Sequence, residues 1–222
     1  KRDKMSKQVP EWEHLRDMAC ALKMYSNSHL DQLLQEFEKN AVANGACVYW
    51  AKDADEYCSI VYNILHGHQV KHFIKSKSML AEECGLNEFL EKKGIEVVES
   101  DLGERILQLM HQRPSHIVMP AIHIKKEKIG ELFVREMGTE PGNNDQTYLT
   151  HAARKNLRHK FLEAEAAMTG ANFAVASTGE FVVCTNEGNA DMGTSQPKLQ
   201  IAAFGLEKIV PDREALGVFT RL

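Results

Sequence analysis

The chain has 222 residues, 43% hydrophobic and 26% charged, an ordinary globular composition that can bury one substantial core. Its 27 Lys and Arg and 31 Asp and Glu give a formal net charge of -4 without blocks of like charge, so nucleic acid is not an expected partner. No apolar run reaches the ~20 residues that a membrane helix needs, and the polar N-terminus has no signal-peptide core. A cytoplasmic protein without a membrane span is therefore expected.

The cysteines and the chain ends add two further expectations. Five cysteines, odd in number and widely scattered, are predicted to be reduced core residues: Cys20, Cys47, Cys58, Cys84 and Cys184. The chain begins without Met and stops inside a helix-like segment, so we expect a domain excised from a longer protein.

Helical periodicity runs from residue 11 to residue 40 and is interrupted at residues 26–28. The pattern predicts two amphipathic helices, whose apolar stripes need a partner surface on the main domain or on another subunit. The expected organisation is a helical segment at residues 1–42 and an α/β domain at residues 43–222.

Four β-α units follow, with strands predicted at residues 46–51, 70–75, 95–100 and 115–120. Short β-rich runs that alternate with helices favour parallel strands joined by crossovers. The predicted fold is α/β, a doubly wound, mostly parallel sheet with helices on both faces.

The last third has a different pattern. A loop is predicted at residues 138–146 and a long basic helix at 147–168. Strands at 171–177 and 180–185 are separated by only two residues, which favours a hairpin. A glycine-rich loop at 185–197, a strand at 198–204, a short apolar run at 206–210 and a final helix from Pro211 complete the chain.

Candidate ligand residues follow the predicted strands, because ligands of open α/β sheets bind beyond the carboxyl ends of the strands. Lys75, Ser76, Lys77 and Ser78 combine two cations, two hydroxyls and a helix start, a set that favours a carboxylate or phosphate. The alternative is structural: Ser78 caps its helix and the lysines are solvated.

Titratable residues follow two other predicted strands. Glu99 and Asp101 are candidate acid or base groups, although Asp101 with Glu104 also has the spacing of a capping box. His123 follows the strand at 115–120 and could move protons near neutral pH, but a lone loop histidine is more often structural.

The densest candidate segment is residues 169–191, rich in glycine, asparagine and acidic residues. Glu187 is the candidate base, and the candidate ligand-binding residues are Asn172, Thr185, Asn186, Gly188 and Asn189. A pair of tight turns is the alternative interpretation.

Other ligand motifs are missing from the sequence. His66, His68 and His72 straddle a helix end and a strand start, so no metal site is predicted. The chain has no G-x-G-x-x-G, Walker loop, G-x-S-x-G or C-x-x-C motif. We therefore expect no cofactor within this chain.

Four segments, at residues 29–51, 74–109, 114–123 and 169–191, resemble the lactate-utilisation (LUD) domain of the iron-sulfur B-protein family. The motifs KSKSM, VESDLGE, PAIH and TNEGN carry the resemblance. It implies a fold similar to the sugar-phosphate isomerase and CoA-transferase group. It also implies oxidation of L-lactate to pyruvate together with A and C partner proteins, and 4Fe-4S clusters in a region C-terminal to this domain.

The chain departs from the full family pattern in two respects. It has no closely spaced cysteines for such clusters, and Ser177 stands where family members more often have an acidic residue. We expect the candidate residues to surround a small anionic ligand. A non-catalytic scaffold that docks partner subunits and positions the clusters is the main alternative, a free-standing transferase or isomerase is a weaker one, and the oligomeric state is open.

Overall fold

The computed structural model describes residues 2–116 and 119–222. The helices are α1 Arg2–Ser6, α2 Trp12–Ser28, α3 Leu30–Ala43, α4 Ala54–Gly67, α5 Met79–Glu83, α6 Leu86–Lys92, α7 Leu102–Met110, α8 Lys126–Met137, α9 Gln146–Glu163, α10 Asn189–Ser195 and α11 Arg213–Thr220. The strands are β1 His72–Lys75, β2 Glu96–Glu99, β3 Ala166–Gly170, β4 Phe173–Val175, β5 Glu180–Val182, β6 Leu199–Ala203 and β7 Ile209–Val210, with a 3-10 turn at Leu206–Lys208.

The chain forms two compact units. The sheet unit comprises Ala51–Gly170 and Thr185–Ala203. The helical unit comprises Lys1–Trp50, Ala171–Cys184 and Phe204–Leu222.

The sheet unit contains a four-stranded, fully parallel sheet in the order β2-β1-β3-β6. Successive strand residues alternate between its faces: Phe73 packs with α4 and α6, whereas Ile74 packs with Leu157 and Phe161 of α9. Helices thus cover both faces of buried strands, which confirms the doubly wound α/β prediction.

The strand order places a topological switch between β1 and β3. From β1 the chain continues through α5 and α6 to β2 on one side, whereas β3 and β6 extend the sheet on the other side. All four strands are parallel, so their carboxyl ends lie along one edge. In such sheets this edge, at the switch, is where ligands bind.

In the helical unit, β4 and β5 form the predicted antiparallel hairpin, and β7 pairs with β4 in parallel. Leu33 and Phe37 of α3 pack on Ala174 and Ile209 of these strands. The two predicted N-terminal helices are confirmed, with the break at His29, and the stripe of α3 is covered by strands of its own chain.

The strand prediction at residues 46–51 was wrong. These residues belong to no strand, and Tyr49 is 57% exposed. A short apolar run does not reveal whether a neighbouring strand is present to pair with it.

The helix prediction at 147–168 was too long, because α9 ends at Glu163 and residues from Ala166 onward form β3. Alanine and methionine favour helices, but β3 pairs with β1 on one side and with β6 on the other, and this pairing overrides the helix propensity. Similarly, the loop predicted at 185–197 contains α10.

The fourth predicted strand, at 115–120, has its centre, residues 117–118, outside the described residues. The described residues on either side of that centre are not in a strand.

The cysteine prediction was correct only in part. Cys58 is buried, but Cys20, Cys47 and Cys184 are exposed, and all five thiols are free. Across residues 2–116 and 119–222, none of the helices combines the length and the apolar content needed to cross a bilayer.

Candidate functional site

The last residues of β1 and β2 form a buried ion pair at the carboxyl edge of the sheet. Lys75 Nζ lies 2.7 Å from Glu99 Oε1, and the two side chains are 3% and 7% exposed. Asn87 Nδ2 of α6 donates to the same oxygen at 2.6 Å. Lys75 and Glu99 are register partners in the sheet, which brings these two predicted site residues together.

This pairing has a consequence for charge. The ammonium of Lys75 is neutralised by Glu99 and is screened from solvent, so it serves as the counterion of a buried carboxylate. The other oxygen, Oε2, is buried and has no hydrogen-bond partner among the described residues.

Lys77 is the more accessible of the two lysines. Its side chain is 29% exposed, and Nζ lies 2.9 Å from Oε1 of Glu104 on α7. Its backbone N–H donates to Asp101 Oδ2 at 2.6 Å. Lys77 therefore belongs to the loop after β1 and contacts two carboxylates that follow β2.

Asp101 occupies the N-cap position of α7, yet its side chain makes no capping hydrogen bond. Instead Oδ2 accepts hydrogen bonds from Lys77 N–H and from Asn189 Nδ2, the latter at 2.8 Å. The capping-box alternative is therefore not what the structure shows, because both Asp101 and Glu104 turn towards Lys77.

The environment of Asp101 raises the pKa of its carboxyl group to about 6. Burial is the largest cause, and the negative charges of Glu104, Glu187 and Glu99 act in the same direction. The hydrogen bond from the backbone of Lys77 opposes these effects. A carboxyl group of this pKa can both accept and release a proton near neutral pH.

The start of α10 supports this carboxyl group. Gly188, at φ +75, is the left-handed N-cap residue, and Asn189 follows it. Asn189 Nδ2 also contacts Ser100 Oγ at 3.1 Å, and Ser100 Oγ donates to the carbonyl of Lys75 at 2.9 Å. These bonds connect α10 to the residues that end β1 and β2.

Two serines of the KSKS segment have structural contacts. Ser76 is buried and its N–H donates to Met168 O at 3.0 Å, whereas Ser78 Oγ caps α5 by accepting from Ala81 N–H. Gly170 ends β3 close by: a Cβ there would lie 3.4 Å from the carbonyl of Lys77. The loop after β1 thus approaches the last residue of β3 at the switch.

The remaining predicted residues lie in different places. Thr185, Asn186 and Glu187 are exposed just before α10, and the charge of Glu187 acts on Asp101. His123 is exposed and its ring contacts Ser115 Oγ at 2.7 Å and Gln112 Oε1 at 3.2 Å. Among the described residues, neither a hydrogen bond nor an ion pair joins His123 to Asp101.

Asn172 belongs to the helical unit, where its Oδ1 accepts the N–H of Cys184 at 2.8 Å. All the other candidate residues are in the sheet unit.

A cleft of about 240 Å³ adjoins Glu104. Its described lining is Met79, Glu82, Glu83, Glu104, Pro114, Ser115, His116 and Pro120. Burial raises the pKa of Glu82, and the charges of Lys75 and Glu99 also act on it. Sequence reasoning missed Glu82 and Asn87, because both lie on helices, whereas the candidate residues were taken from the ends of predicted strands.

The residues that the structure describes do not fit a metal or an iron–sulfur cluster. Within the described ranges, no three His, Cys, Asp or Glu side chains are grouped so that they could hold an ion. Cys58 Sγ donates to the carbonyl of Cys84, and the other three thiols are exposed. A 4Fe-4S cluster elsewhere in a parent protein stays a prediction.

The fold and the site together define a class of protein. It is a doubly wound α/β domain with a cluster of paired charges, and a carboxyl group whose pKa is near neutral, at the carboxyl ends of β1 and β2. The carboxyl edge of the sheet is where such domains bind small molecules.

The chain belongs to the LUD domain family, whose family model matches residues 34–222. It is similar to "Lactate utilization protein B" of Bacillus pumilus (strain SAFR-032), at 42% identity over 98% of this chain and 46% of that protein. The proteins of the same name from Bacillus thuringiensis (strain Al Hakam) and Bacillus cereus (strain B4264) are each 41% identical over 99% of this chain and 46% of their own length. The chain thus spans about half the length of these relatives. No solved structure matches it.

Proposed function

We propose that this chain is the LUD portion of a cytoplasmic protein that acts in lactate utilisation, and that its carboxyl-edge cluster binds a small carboxylate. The names of the relatives support the process, and the site supports the ligand class. In this proposal Lys77 holds the carboxylate and Asp101 exchanges a proton with the ligand.

The observation that carries the proposal is the placement of Asp101. Its carboxyl group has a pKa of about 6 and is oriented by Lys77 N–H and Asn189. The side chain of the same lysine is 29% exposed and pairs with Glu104. An acid–base group of near-neutral pKa, bound to the backbone of a residue that also carries a cation, suits a hydroxy acid, which has a carboxylate to be held and a hydroxyl proton to be removed.

Charge balance determines how an anion would enter. The cluster has more carboxylates than lysines, and Lys75 is already paired with Glu99. A ligand carboxylate must therefore replace Glu104 on Lys77, because an unpaired anion would be repelled by the remaining acidic groups. Glu104 lines the neighbouring cleft, into which it could turn.

The wider proposal concerns the parent protein. Oxidation of L-lactate to pyruvate breaks the O–H and the α C–H bonds and releases two protons and two electrons. We assign the hydroxyl proton to Asp101, and the α-hydrogen with the two electrons to an acceptor in the parent protein outside this chain. Electrons would pass through 4Fe-4S clusters in another region, with A and C proteins as partners. The support for these parts is the family resemblance alone.

The test is calorimetric titration of L-lactate into the parent protein and its variants. Asp101→Asn preserves the size of the side chain and an oxygen acceptor, and Lys77→Met removes the cation. Lys155→Met, an exposed change on α9, is the matched control. We expect Lys77→Met to weaken binding at least about tenfold and Asp101→Asn to abolish lactate-dependent growth, with the control like wild type. Unchanged binding and growth in both variants would refute the proposal.

A second candidate is the scaffold function, which one observation favours. Met24 on α2 is 69% exposed, and Met18 and Tyr25 on the same helix are also exposed. Exposed large apolar residues can form a docking surface for a partner subunit. Three results together would favour the scaffold. The double variant Met24→Ser with Tyr25→Ser would no longer capture the A and C proteins, Lys77→Met would capture them as wild type does, and the wild type would not bind lactate.

A further inference from the structure

A second cleft, of about 440 Å³, lies entirely within the helical unit. Three segments that are distant in sequence form it: α2, the start of β4 and the 3-10 turn. Its described lining is Lys23, Asn27, Asn172, Phe173, Glu207 and Lys208. We propose that this cleft binds a small organic anion, with a carboxylate or phosphate group between Lys23 and Lys208 and an apolar body against Phe173.

The two lysines line the cleft from different segments, Lys23 from α2 and Lys208 from the 3-10 turn. Lys23 Nζ donates to the backbone carbonyl of Glu207, and it also lies 5.6 Å from the centroid of the Phe219 ring. Lys208 Nζ lies 3.4 Å from Glu207 Oε1, and its side chain is 42% exposed. A half-exposed ion pair of this length is weak, so Lys208 can turn towards a ligand at little cost.

The lysines are close enough to repel each other. The pKa of Lys23 is lowered, mainly by burial and then by the positive charge of Lys208, while Glu207 opposes the shift. Among the charged residues of the described lining, two are cations and one is an anion. An oxyanion placed between the ammonium groups would relieve their repulsion and complete the charge balance.

The neutral lining residues complement such a ligand. The Oδ1 atom of Asn172 is occupied by the N–H of Cys184, so its Nδ2 group is the part that can donate to a ligand oxygen. Phe173 is partly buried and its ring lies 5.5 Å from that of Phe219, which fixes an apolar wall. A site of this volume lies in the range of small-molecule sites, about 300–1,000 Å³, and is larger than a bare ion needs.

The inference is independent of the function proposed for the sheet unit. None of the residues that line this cleft belongs to the Asp101 cluster, so each site can be changed without a substitution in the other. It also assigns a role to Asn172, which the sequence had grouped with the ligand residues of the sheet.

The test uses the parent protein and three probes: phenyl phosphate, inorganic phosphate and phenol. Phenyl phosphate carries both the anion and the ring, whereas each of the others carries one of them. Binding is measured by calorimetry at low ionic strength, where charge interactions are least screened. We expect the tightest binding for phenyl phosphate, with affinity that falls as salt is added.

Three variants separate the site from general effects. Lys23→Gln with Lys208→Gln removes both cations, and Asn172→Asp keeps the acceptor for Cys184 N–H while it adds a negative charge to the cleft. Lys39→Gln on α3 of the same unit is the control, because Lys39 is exposed and does not line the cleft. Circular dichroism and thermal unfolding verify that each variant is folded.

We expect the double variant and Asn172→Asp each to weaken phenyl phosphate binding at least about tenfold, while Lys39→Gln binds like wild type. The proposal would be overturned if the wild-type protein did not bind phenyl phosphate at millimolar concentration, or if the folded variants bound it as tightly as wild type does. Equal loss in Lys39→Gln would also overturn it, since the effect would then be one of net charge.

Discussion

At the scale of single residues, the position of Asp101 makes a prediction about pH. Its pKa rises from 3.8 to about 6 in the folded chain, chiefly through burial, so between these values the folded state binds more protons than the unfolded state. The contribution of Asp101 to the free energy of unfolding should therefore decrease as the pH rises from about 4 to about 6.

Asp101→Asn should remove that contribution, so that the variant gains stability relative to wild type as the pH is raised through this window. The measurement is urea unfolding at pH 4, 5, 6 and 7, with the exposed change Glu131→Gln on α8 as the control. A constant difference between Asp101→Asn and wild type at all four pH values would show that Asp101 titrates normally.

Glu104 provides the second residue-scale prediction. It pairs with Lys77 at 2.9 Å, so it competes with any ligand carboxylate for that ammonium. Glu104→Gln should therefore tighten the binding of L-lactate by about threefold to tenfold, which corresponds to about 0.6–1.4 kcal/mol of binding free energy. Calorimetry checks this, and weaker binding in Glu104→Gln would show that Glu104 helps to hold the ligand.

At the scale of secondary-structure elements, the buried ion pair between β1 and β2 leads to a prediction about the free energy of unfolding. Lys75→Met leaves the Glu99 carboxylate buried without its cation and should cost about 3–5 kcal/mol. Adding Glu99→Gln should recover much of this loss, because glutamine is neutral and still accepts the hydrogen bond from Asn87.

Denaturant unfolding of the two variants measures the recovery. Lys155→Met on α9 is the exposed control and should change stability by less than about 0.5 kcal/mol. If the double variant were as unstable as Lys75→Met, the loss would come from packing of the lysine chain and not from the unpaired carboxylate.

The β4–β5 hairpin supplies the next element-scale prediction. Gly179 has φ +71, and a Cβ there would overlap the backbone of Ala41, which α3 places against the turn. Gly179→Ala should therefore destabilise the chain by more than about 2 kcal/mol. Gly45→Ala is the matched control, because Gly45 has φ +90 but open space around its Cβ position, so it isolates the conformational cost. Equal losses in the two variants would argue against the close approach of α3.

The elements differed in how far the sequence could predict them. Strands β1 and β2 and the β4–β5 hairpin are apolar runs between clear turn signals, and these were predicted within a few residues. Strand β3 follows α9 after two residues and has the composition of a helix, so only its pairing in the sheet reveals it. The pattern could not provide that long-range information.

The candidate site was predictable where it follows strand ends. The rule about carboxyl edges pointed to Lys75, Lys77, Glu99 and Asp101. In the structure Lys75 pairs with Glu99, and the backbone N–H of Lys77 donates to Asp101. Their charge pairing could not be predicted, because it depends on strand order and side-chain direction. Asn87 was missed for the same reason: it reaches Glu99 from a helix.

At the scale of the whole molecule, the chain is a member of the LUD domain family that spans about half the length of its relatives. Its fold places one charged cluster in the sheet unit and one cleft with two lysines in the helical unit. The two proposals can therefore be tested by separate variants of one chain, and each can fail without the other.

The central claim is that the sheet unit binds a small carboxylate beside Asp101 through Lys77. The most direct measurement is NMR of the Asp101 carboxyl carbon during a titration with L-lactate, in wild type and in Lys77→Met. We predict a saturable change of this resonance in wild type and none in the variant. A resonance that stays unchanged in wild type at lactate concentrations on the order of 10 mM, well above typical substrate levels, would contradict the claim.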